Sequence, residues 1–582
     1  MGGAGPFAAL CILPALVLYV LFLVYPTLNV FRMSLFDWNG LGNAPSFIGL
    51  DNFAALVHDP TFVRAFENTL FILVVVTIVT ICSSIFIAAV LTRETLVGAG
   101  WYRFVLYLPS VLSIVVVAAI FSAVFDQNNG LVNGLLQALG LGHGPVWLGD
   151  QNVVMYSVAI AMVWQSLGYY VVLYMAGMSS VPVEIYESAS LDGAGRMTQL
   201  GSITIPLIWS NIRTTLTFFV LSSVNLAFVL VKALTDGGPN GSSEVLLNYM
   251  YKQAFTNSAY GYGMAIGVVT FLFSFLDQPR DSQRSPSVLM SAVPTPLRAD
   301  RRYRLAAHAL LVVISILVIV PVAWVVMAAF KTKPEFFGSP WRLPDGLHWQ
   351  NFVDAFVTAK MGIYFTDSLF VTVLGLVFSL AVAIPAAYAI ARVPFRGRAL
   401  VEGFLMAGLF INVNYIVVPI FLMLLGWDKA LASWLPNGFF IDNLAVLALV
   451  YAATSLPFTI YLLVSFFRTI PAIYEEAAAL DGSSRLRTML SIMVPIARPA
   501  ISTVILFNFL SFWNDFIISL TLIPGEHKTL QVGLLNLFQA QRAAADYGRL
   551  YAGMVIVMVP VLLLYATIQK RLVTGIGGGG LK

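Results

Sequence analysis

The sequence predicts an all-α membrane protein of about 12 transmembrane helices, arranged as two parallel repeats of six. Three observations lead there: the composition, the length of the apolar runs, and one segment that occurs twice. Hydrophobic residues make up 59% of the chain and charged residues 10%, with a mean hydropathy of +0.86. A soluble domain has about 25% charged residues. Lipid must therefore cover much of the surface of this chain.

The apolar runs give the positions of the spans. About 20 apolar residues cross the ~30 Å hydrocarbon core of a bilayer. The predicted spans lie near residues 7–28, 69–91, 104–125, 153–176, 206–231 and 259–276, and again near 305–330, 364–391, 399–425, 443–467, 495–520 and 549–568. The sixth has the shortest apolar core, Met264 to Leu276. Six spans return the chain to the side where it began, so the two halves have the same orientation.

One segment occurs twice, 289 positions apart, with the same internal spacing. It reads VPVEIYESASLDGAGRMTQLGSITIP from Val181 to Pro206 and IPAIYEEAAALDGSSRLRTMLSIMVP from Ile470 to Pro495. Two copies of one segment within a repeated hydrophobic body indicate two membrane subunits joined end to end. We therefore predict a first half at 1–276, a linker at 277–304 and a second half at 305–582, with the repeated segments at 181–206 and 470–495.

The sidedness follows from the basic residues, which favour cytoplasmic loops. With the repeated segments in the cytoplasm, 19 of the 32 Lys and Arg residues lie inside and 12 lie in longer outer loops. The linker is rich in Pro, Ser and Arg, as flexible cytoplasmic linkers are. Both repeated segments and the linker are therefore predicted to be cytoplasmic.

Each repeated segment predicts a short helix, a turn and a return to the membrane. A proline opens each segment at a position where its missing N–H costs nothing, and acidic residues follow in the first turns, where they suit the helix dipole. Small residues follow, and after them comes a glycine that permits a sharp turn. The alternative is an ordinary amphipathic interfacial helix, which two copies in register disfavour. The residues that define the pattern are Glu187, Ala189, Asp192 and Gly193, and Glu476, Ala477, Asp481 and Gly482.

These segments resemble the EAA loop of the membrane subunits of binding-protein-dependent ABC importers, with Ser188, Ile205 and Val494 as departures from its pattern. We call Val181–Pro206 the first EAA segment and Ile470–Pro495 the second EAA segment. Further runs resemble the two permease subunits of maltose-type carbohydrate importers: ALTDGGPNGSSEVLLNYMYKQAF in the first half, and FKTKPEFFGSPWRLPDGLHWQNFVDAF, AAYAIARVPFRGR and FWNDF in the second.

The resemblance implies the type I ABC importer permease fold in two fused copies and a location in the bacterial cell (inner or plasma) membrane. It also implies two ABC ATPase subunits, each receiving one EAA helix through the eight residues named above. Those partners would bind ATP and Mg, and an extracytoplasmic solute-binding protein would deliver a sugar or oligosaccharide. Closure of the ATPases would then switch the pore between inward and outward access.

The chain itself is predicted to be no enzyme and to hold no cofactor. A P-loop needs Gly-Lys-Ser/Thr to bind phosphates, and no lysine here follows a glycine. The five histidines are isolated, so no metal site is predicted, and no Gly-x-Ser-x-Gly elbow occurs. Cys11 and Cys82 lie in apolar runs, which suits packing. The dispersed basic residues give nucleic-acid binding no support.

Polar residues within the spans are candidates for a substrate pathway, because such groups tend to face a cavity or another helix. Asn225 and Asn514 are again 289 apart and are expected to face each other across a pore. The other candidates are Trp513, Asp515, Trp164, Gln165, Asn412 and Asn414, with Tyr169, Tyr170 and Tyr415 beside them. The alternative for each is a hydrogen bond between helices or a place in an aromatic belt.

Two other functions stay open at this point. An ABC permease for a non-sugar solute would also carry EAA loops, although such permeases generally have fewer spans. A proton-coupled secondary transporter can have six plus six parallel spans, and it would need acidic groups at mid-membrane. Asp515 is the deepest acidic candidate, and Asp367 and Glu402 lie nearer the span ends.

Overall fold

The computed structural model describes residues 4–40, 45–93, 96–128, 130–276, 301–338, 341–544 and 546–577. Helices dominate, and the strands in these ranges are the short antiparallel pair β1 (Phe36–Asp37) and β2 (Ser46–Phe47). The predicted all-α class is therefore confirmed. Residues 277–300, most of the predicted linker, lie outside the described residues.

Within its described residues, the first half contributes fourteen α-helices. They are α1 (Ala4–Tyr19), α2 (Tyr25–Met33), α3 (Asp51–His58), α4 (Pro60–Arg93), α5 (Ala99–Val111), α6 (Ile114–Val124), α7 (Leu131–Ala138), α8 (Val154–Met178), α9 (Val183–Leu191), α10 (Arg196–Gln199), α11 (Ile205–Leu207), α12 (Trp209–Leu234), α13 (Leu246–Phe255) and α14 (Tyr260–Leu276). Two π-helical turns, Val20–Val24 and Leu200–Thr204, join α1 to α2 and α10 to α11.

The part of the second half that the structure describes contributes another fourteen. They are α15 (Arg301–Ala328), α16 (Lys333–Gly338), α17 (Gln350–Val353), α18 (Met361–Arg392), α19 (Arg398–Ala407), α20 (Val413–Ala430), α21 (Leu444–Thr469), α22 (Ile473–Leu480), α23 (Arg485–Thr488), α24 (Val494–Ile496), α25 (Arg498–Asn514), α26 (Ile517–Leu522), α27 (Leu530–Ala544) and α28 (Tyr547–Gly577). π-Helical turns occupy Asp354–Thr358 and Met489–Met493, and a 3-10 turn occupies Gly408–Phe410.

The twelve predicted spans each coincide with apolar helix. Within the described residues, 9 helices are long and apolar enough to cross a membrane, or up to 11 if each of two bent pairs is one span. The remaining predicted span is the sixth, where the apolar stretch Tyr260–Phe273 is shorter. The chain is therefore a multi-pass membrane protein by the length and composition of its helices.

Three of the predicted spans are interrupted helices rather than continuous ones. The third bends by 101° between α5 and α6, and the eleventh by 75° between α24 and α25. The ninth breaks between α19 and α20, where Ile411 and Asn412 are extended. Side chains cap the helices that begin after two of these breaks: Ser113, before α6, accepts a hydrogen bond from Val116 N at 3.3 Å, and Asn412, before α20, accepts one from Asn414 N at 3.0 Å. Such caps satisfy helix N–H groups that lack a partner.

One compact unit comprises Met1–Ala55, Met250–Val268 and Lys360–Gly533. Within it, α18 lies along α21, and both α1 and α25 pack on this pair. Helix α2 packs on α20. The first helix of the first half thus packs with helices of the second half.

The other compact unit comprises Leu56–Tyr249, Val269–Ala359 and Leu534–Lys582. Within it, α8 packs on α4 and α5, and α12 contacts α4, α6 and α8. Helices α15 and α28 pack on each other, and both contact α5. Each unit therefore draws on both halves of the chain. The division at 277–304, which stays a prediction, describes the order of the repeats along the chain rather than these units.

Candidate functional site

Both EAA segments form a short helix that begins just after the opening proline. Pro182 precedes α9 with φ −57° and ψ 137°, which a proline ring favours. Glu184 lies in the first turn of α9, and Glu475 and Glu476 lie in the first turn of α22. Carboxylates at this end of a helix interact favourably with its dipole.

Both short helices end in the same glycine turn. In the first, Ala194 N donates to Ala189 O at 2.9 Å and Gly193 N to Ser190 O at 3.1 Å. This pair of bonds is the Schellman motif, which requires a left-handed residue at the glycine position. The second EAA segment has the same two bonds 289 positions later, at 2.9 and 3.1 Å. The glycines have φ of 79° at Gly193 and 73° at Gly482.

The return toward the membrane also matches between the two segments. Helix α10, the π-helical turn Leu200–Thr204 and α11 have the same bounds as α23, Met489–Met493 and α24 after a shift of 289. The local fold of the EAA segment is therefore repeated turn by turn. The backbone hydrogen bonds of the two glycine turns join residues of the same segment.

The side chains predicted to couple the chain to an ATPase lie at the surface. All eight predicted positions are exposed except Ala189, which is half-buried. Sequence reasoning missed one further matched pair: Leu191 and Leu480 end the two short helices and are each 89% exposed. The sequence signal for this pair is an apolar residue directly before Asp-Gly in both copies. Exposed leucines at one place in both repeats add apolar surface to each turn.

The predicted pathway residues around Asn514 meet a polar network. Asn514 is the last residue of α25 and is half-buried. The Asp515 carboxylate accepts hydrogen bonds from the Tyr451 hydroxyl at 2.7 Å and from Ser519 N at 3.1 Å. The Trp513 ring is 2% exposed and stacks on Phe509 with centroids 5.5 Å apart. In this conformation the network supports the end of α25.

The pathway candidates of the first half lie on two long helices. Asn225 is half-buried in the middle of α12, and its Nδ2 is 3.5 Å from Leu221 O in the preceding turn. On α8, Gln165 is 8% exposed and donates to Leu112 O at 3.4 Å. Trp164 makes an edge contact with Phe121 at 5.4 Å. The Gln165 side chain thus bonds to a backbone carbonyl at the break between α5 and α6.

Asn412 and Asn414 lie together at the start of α20, where Asn412 caps the helix. Asn225 and Asn514 belong to different compact units. Their predicted meeting across a pore stays a prediction. No group of three or more His, Cys, Asp or Glu side chains that could hold a metal ion occurs among the residues that the structure describes.

Comparison with known protein families gives one match that occurs twice. The family described as "Binding-protein-dependent transport system inner membrane component" matches residues 84–277 and 375–577. Each match contains one complete EAA segment.

Similar proteins each align with about half of this chain. The diacetylchitobiose uptake system permease protein NgcG of Streptomyces coelicolor is 36% identical over 48% of this chain and 90% of its own length. NgcF of the same organism is 32% identical over 44% of this chain and 75% of its own length. A crystal structure of a bacterial alginate ABC transporter, in complex with an alginate pentasaccharide-bound periplasmic protein, gives a TM-score of 0.41 at 23% identity, over 45% of this chain and 88% of that chain.

Proposed function

Because the chain belongs to the family of binding-protein-dependent transport system inner membrane components, we propose that it is the membrane permease component of an ABC importer for a sugar or oligosaccharide. It is a transport subunit, not an enzyme. Two separate ATPase subunits bind ATP and Mg²⁺, and each contacts one EAA segment. A solute-binding protein outside the membrane delivers the sugar.

The observation that carries this proposal is the matched geometry of the two EAA segments. Each has an exposed helix, a Schellman turn at a glycine and an exposed leucine at the same position. A pair of identical ATPase subunits needs two equivalent contact surfaces, because a twofold assembly uses the same patch twice. Two short surface helices with one local fold meet that requirement.

The sugar class is supported by two independent observations. Both named relatives are permeases of diacetylchitobiose uptake systems. The segment Ala233–Phe255 and the FWNDF run resemble maltose-type permeases. We therefore propose an oligosaccharide as substrate, with N,N′-diacetylchitobiose as the first to test. An ABC permease for a non-sugar solute is the alternative that this test separates.

The sidedness belongs to the same proposal. Both EAA segments face the cytoplasm, because the basic residues concentrate on their side of the predicted spans. The location is the bacterial cell membrane.

A proton-coupled transporter is less well supported by the acidic side chains. Asp367 lies 3.1 Å from His527 Nδ1, and Glu402 lies 2.6 Å from an Arg468 guanidinium nitrogen. Asp515 accepts two hydrogen bonds at the start of α26. All three carboxylates have structural partners, which accounts for their presence without proton transport.

The test disrupts both glycine turns. A Gly193→Pro/Gly482→Pro double variant cannot keep φ near 75°, because the proline ring fixes φ near −65°, and it also loses an N–H donor. We expect the protein to insert in the membrane, to lose most co-purification with its ATPase subunits, and to lose ATP hydrolysis stimulated by the sugar-loaded binding protein.

The matched control is Gly98→Pro/Gly397→Pro. These glycines have φ of 80° and 85° and open space around them, yet they precede α5 and α19, outside the EAA segments. The control should retain ATPase binding. Full stimulation of hydrolysis in the Gly193/Gly482 variant would contradict the proposed coupling.

A further inference from the structure

The second EAA segment has side-chain contacts with a long helix of its unit. The Glu475 carboxylate accepts a hydrogen bond from the Tyr388 hydroxyl at 2.8 Å. The other carboxylate oxygen lies 3.6 Å from Arg392 Nε. Tyr388 and Arg392 lie in the last two turns of α18, one turn apart. Arg392 also donates to Ile470 O, at the start of the segment. We call Tyr388, Arg392 and Glu475 the α18 anchor.

The α18 anchor is sheltered from water. Tyr388 is 3% exposed, and the side chains of Arg392 and Glu475 are 13% and 23% exposed. The Tyr388 ring also makes edge contacts with Phe7 and Phe467 at 6.4 and 5.9 Å. Bonds to charged groups are roughly twice as strong as neutral ones, and low exposure reduces their screening by solvent and salt. Exposed ion pairs contribute little by comparison.

The contacts fix both the approach to α22 and its first turn. Arg392 donates to the carbonyl of Ile470, before the helix begins, and Tyr388 and Arg392 contact Glu475 within the first turn of α22. Helix α18 runs for 32 residues and packs along α21 and α25. Because a packed helix moves largely as a rigid body, a displacement of α22 acts directly on the cytoplasmic end of α18.

The first EAA segment has a different side chain at this position. A shift of 289 places Tyr186 where the second segment has Glu475. The Tyr186 hydroxyl lies 3.1 Å from Thr204 Oγ1, within the same segment. The two left-handed glycines before α5 and α19, Gly98 and Gly397, are 299 apart, so Ala89 stands where α18 has Tyr388. An alanine has no hydroxyl, and the Tyr388–Glu475 bond has no counterpart there.

We propose that the α18 anchor transmits movement of the second EAA segment into the membrane helices. Tyr388, Arg392 and Glu475 are positioning residues, because they act through α18 rather than on the solute. The first EAA segment has Tyr186 in place of Glu475, so the Tyr388–Glu475 bond links segment and helix in the second repeat only. This inference rests on the proposed function, and it adds a coupling element outside the eight EAA residues.

The test removes the carboxylate with Glu475→Ala. The variant should bind its ATPase subunits and hydrolyse ATP within about twofold of wild type, while uptake of N,N′-diacetylchitobiose per ATP falls about tenfold, the size expected from losing a bond to a charged group. Glu475→Gln keeps an acceptor for the Tyr388 hydroxyl, so its uptake per ATP should lie between that of wild type and that of Glu475→Ala. Tyr388→Phe combined with Glu475→Ala should add no further loss, because the shared contact is already gone.

The control is Glu402→Ala, which removes an ion pair with Arg468 of the same unit outside the EAA segment. Its uptake per ATP should equal that of wild type. Wild-type coupling in Glu475→Ala would overturn the inference, and so would loss of ATPase binding, since Glu475 would then be a docking residue. Absence of ATP-dependent uptake by the wild-type protein would instead overturn the proposed function. Unfolding temperatures of all variants separate misfolding from uncoupling.

Discussion

The crossing of α8 with α12 and that of α21 with α25 occupy equivalent places in the two repeats but are held by different chemistry. In the second repeat, Asn508 Nδ2 donates to Thr459 Oγ1 at 2.9 Å and lies 3.4 Å from Ser379 Oγ. In the first repeat, the positions 289 earlier are Phe219 and Tyr170, whose rings meet edge to face at 4.8 Å. At these equivalent positions an aromatic pair stands where the second repeat has hydrogen bonds, and α8 and α12 make their own hydrogen bond one turn away, between the hydroxyls of Tyr174 and Thr215 at 2.6 Å.

The ends of α12 and α25 differ for a related reason. Helix α12 continues through Asn225 to Leu234, whereas α25 stops at Asn514. Asp515, extended at φ −62° and ψ 140°, accepts hydrogen bonds from Tyr451 and from Ser519 N. The first repeat has Leu226 in place of Asp515 and Met162 in place of Tyr451. Because the first repeat has neither that carboxylate nor that hydroxyl, no such hydrogen bonds end α12 at this position.

The surface segment and the membrane core of the two repeats have diverged to different extents. The two EAA segments have the same backbone conformation, turn by turn. The membrane helices of the two repeats have apolar contacts in one copy where the other copy has polar contacts. Asn225 and Asn514 share a sequence position but not a local structure. Equal spacing in sequence therefore identifies equivalent places, and the neighbours decide the geometry at each place.

The largest effect is expected from Asp515→Leu, which gives the second repeat the residue of the first. The change leaves the Tyr451 hydroxyl and Ser519 N without their acceptor in a buried site. We expect a loss of about 2–4 kcal/mol in the free energy of unfolding, because unsatisfied buried groups retain their full desolvation cost. The measurement is denaturant unfolding of the purified protein in detergent.

The matched control is Leu226→Met in the first repeat, a volume-conserving apolar change that should cost under about 1.5 kcal/mol. In a double-mutant cycle, Tyr451→Phe should cost much less in the Asp515→Leu background than in wild type. Equal costs for Asp515→Leu and Leu226→Met would mean that the network does not hold the end of α25.

A smaller effect is expected from Asn508→Leu at the helix crossing. Ser379 keeps a contact with Ser455 at 3.0 Å, and a threonine in a helix can bond to a carbonyl of its own preceding turn. We therefore expect a loss of only about 0.5–1.5 kcal/mol, as for single hydrogen bonds between membrane helices. The same unfolding assay checks it, with Ser455→Ala as the control. A loss above about 3 kcal/mol would show that the crossing depends on Asn508 itself.

Local features of this chain were predictable from sequence, and distant ones were not. The helix and glycine turn around Gly193 and Gly482 depend on residues within one segment, and the apolar runs located all twelve helical stretches. The breaks at Ser113 and Asn412 were not predictable, because apolar residues continue through both. The Tyr388–Glu475 bond joins residues 87 apart in sequence, and no periodicity carries that information.

We propose that this chain imports an oligosaccharide with ATP hydrolysed by partner subunits. The direct measurement is uptake of radiolabelled oligosaccharides, N,N′-diacetylchitobiose first, by vesicles that contain the chain with its ATPase subunits and its solute-binding protein. We expect uptake that requires ATP, the ATPase subunits, the solute-binding protein and intact EAA glycines, and that a proton ionophore does not affect. Uptake by the chain alone, independent of ATP and abolished by the ionophore, would contradict it.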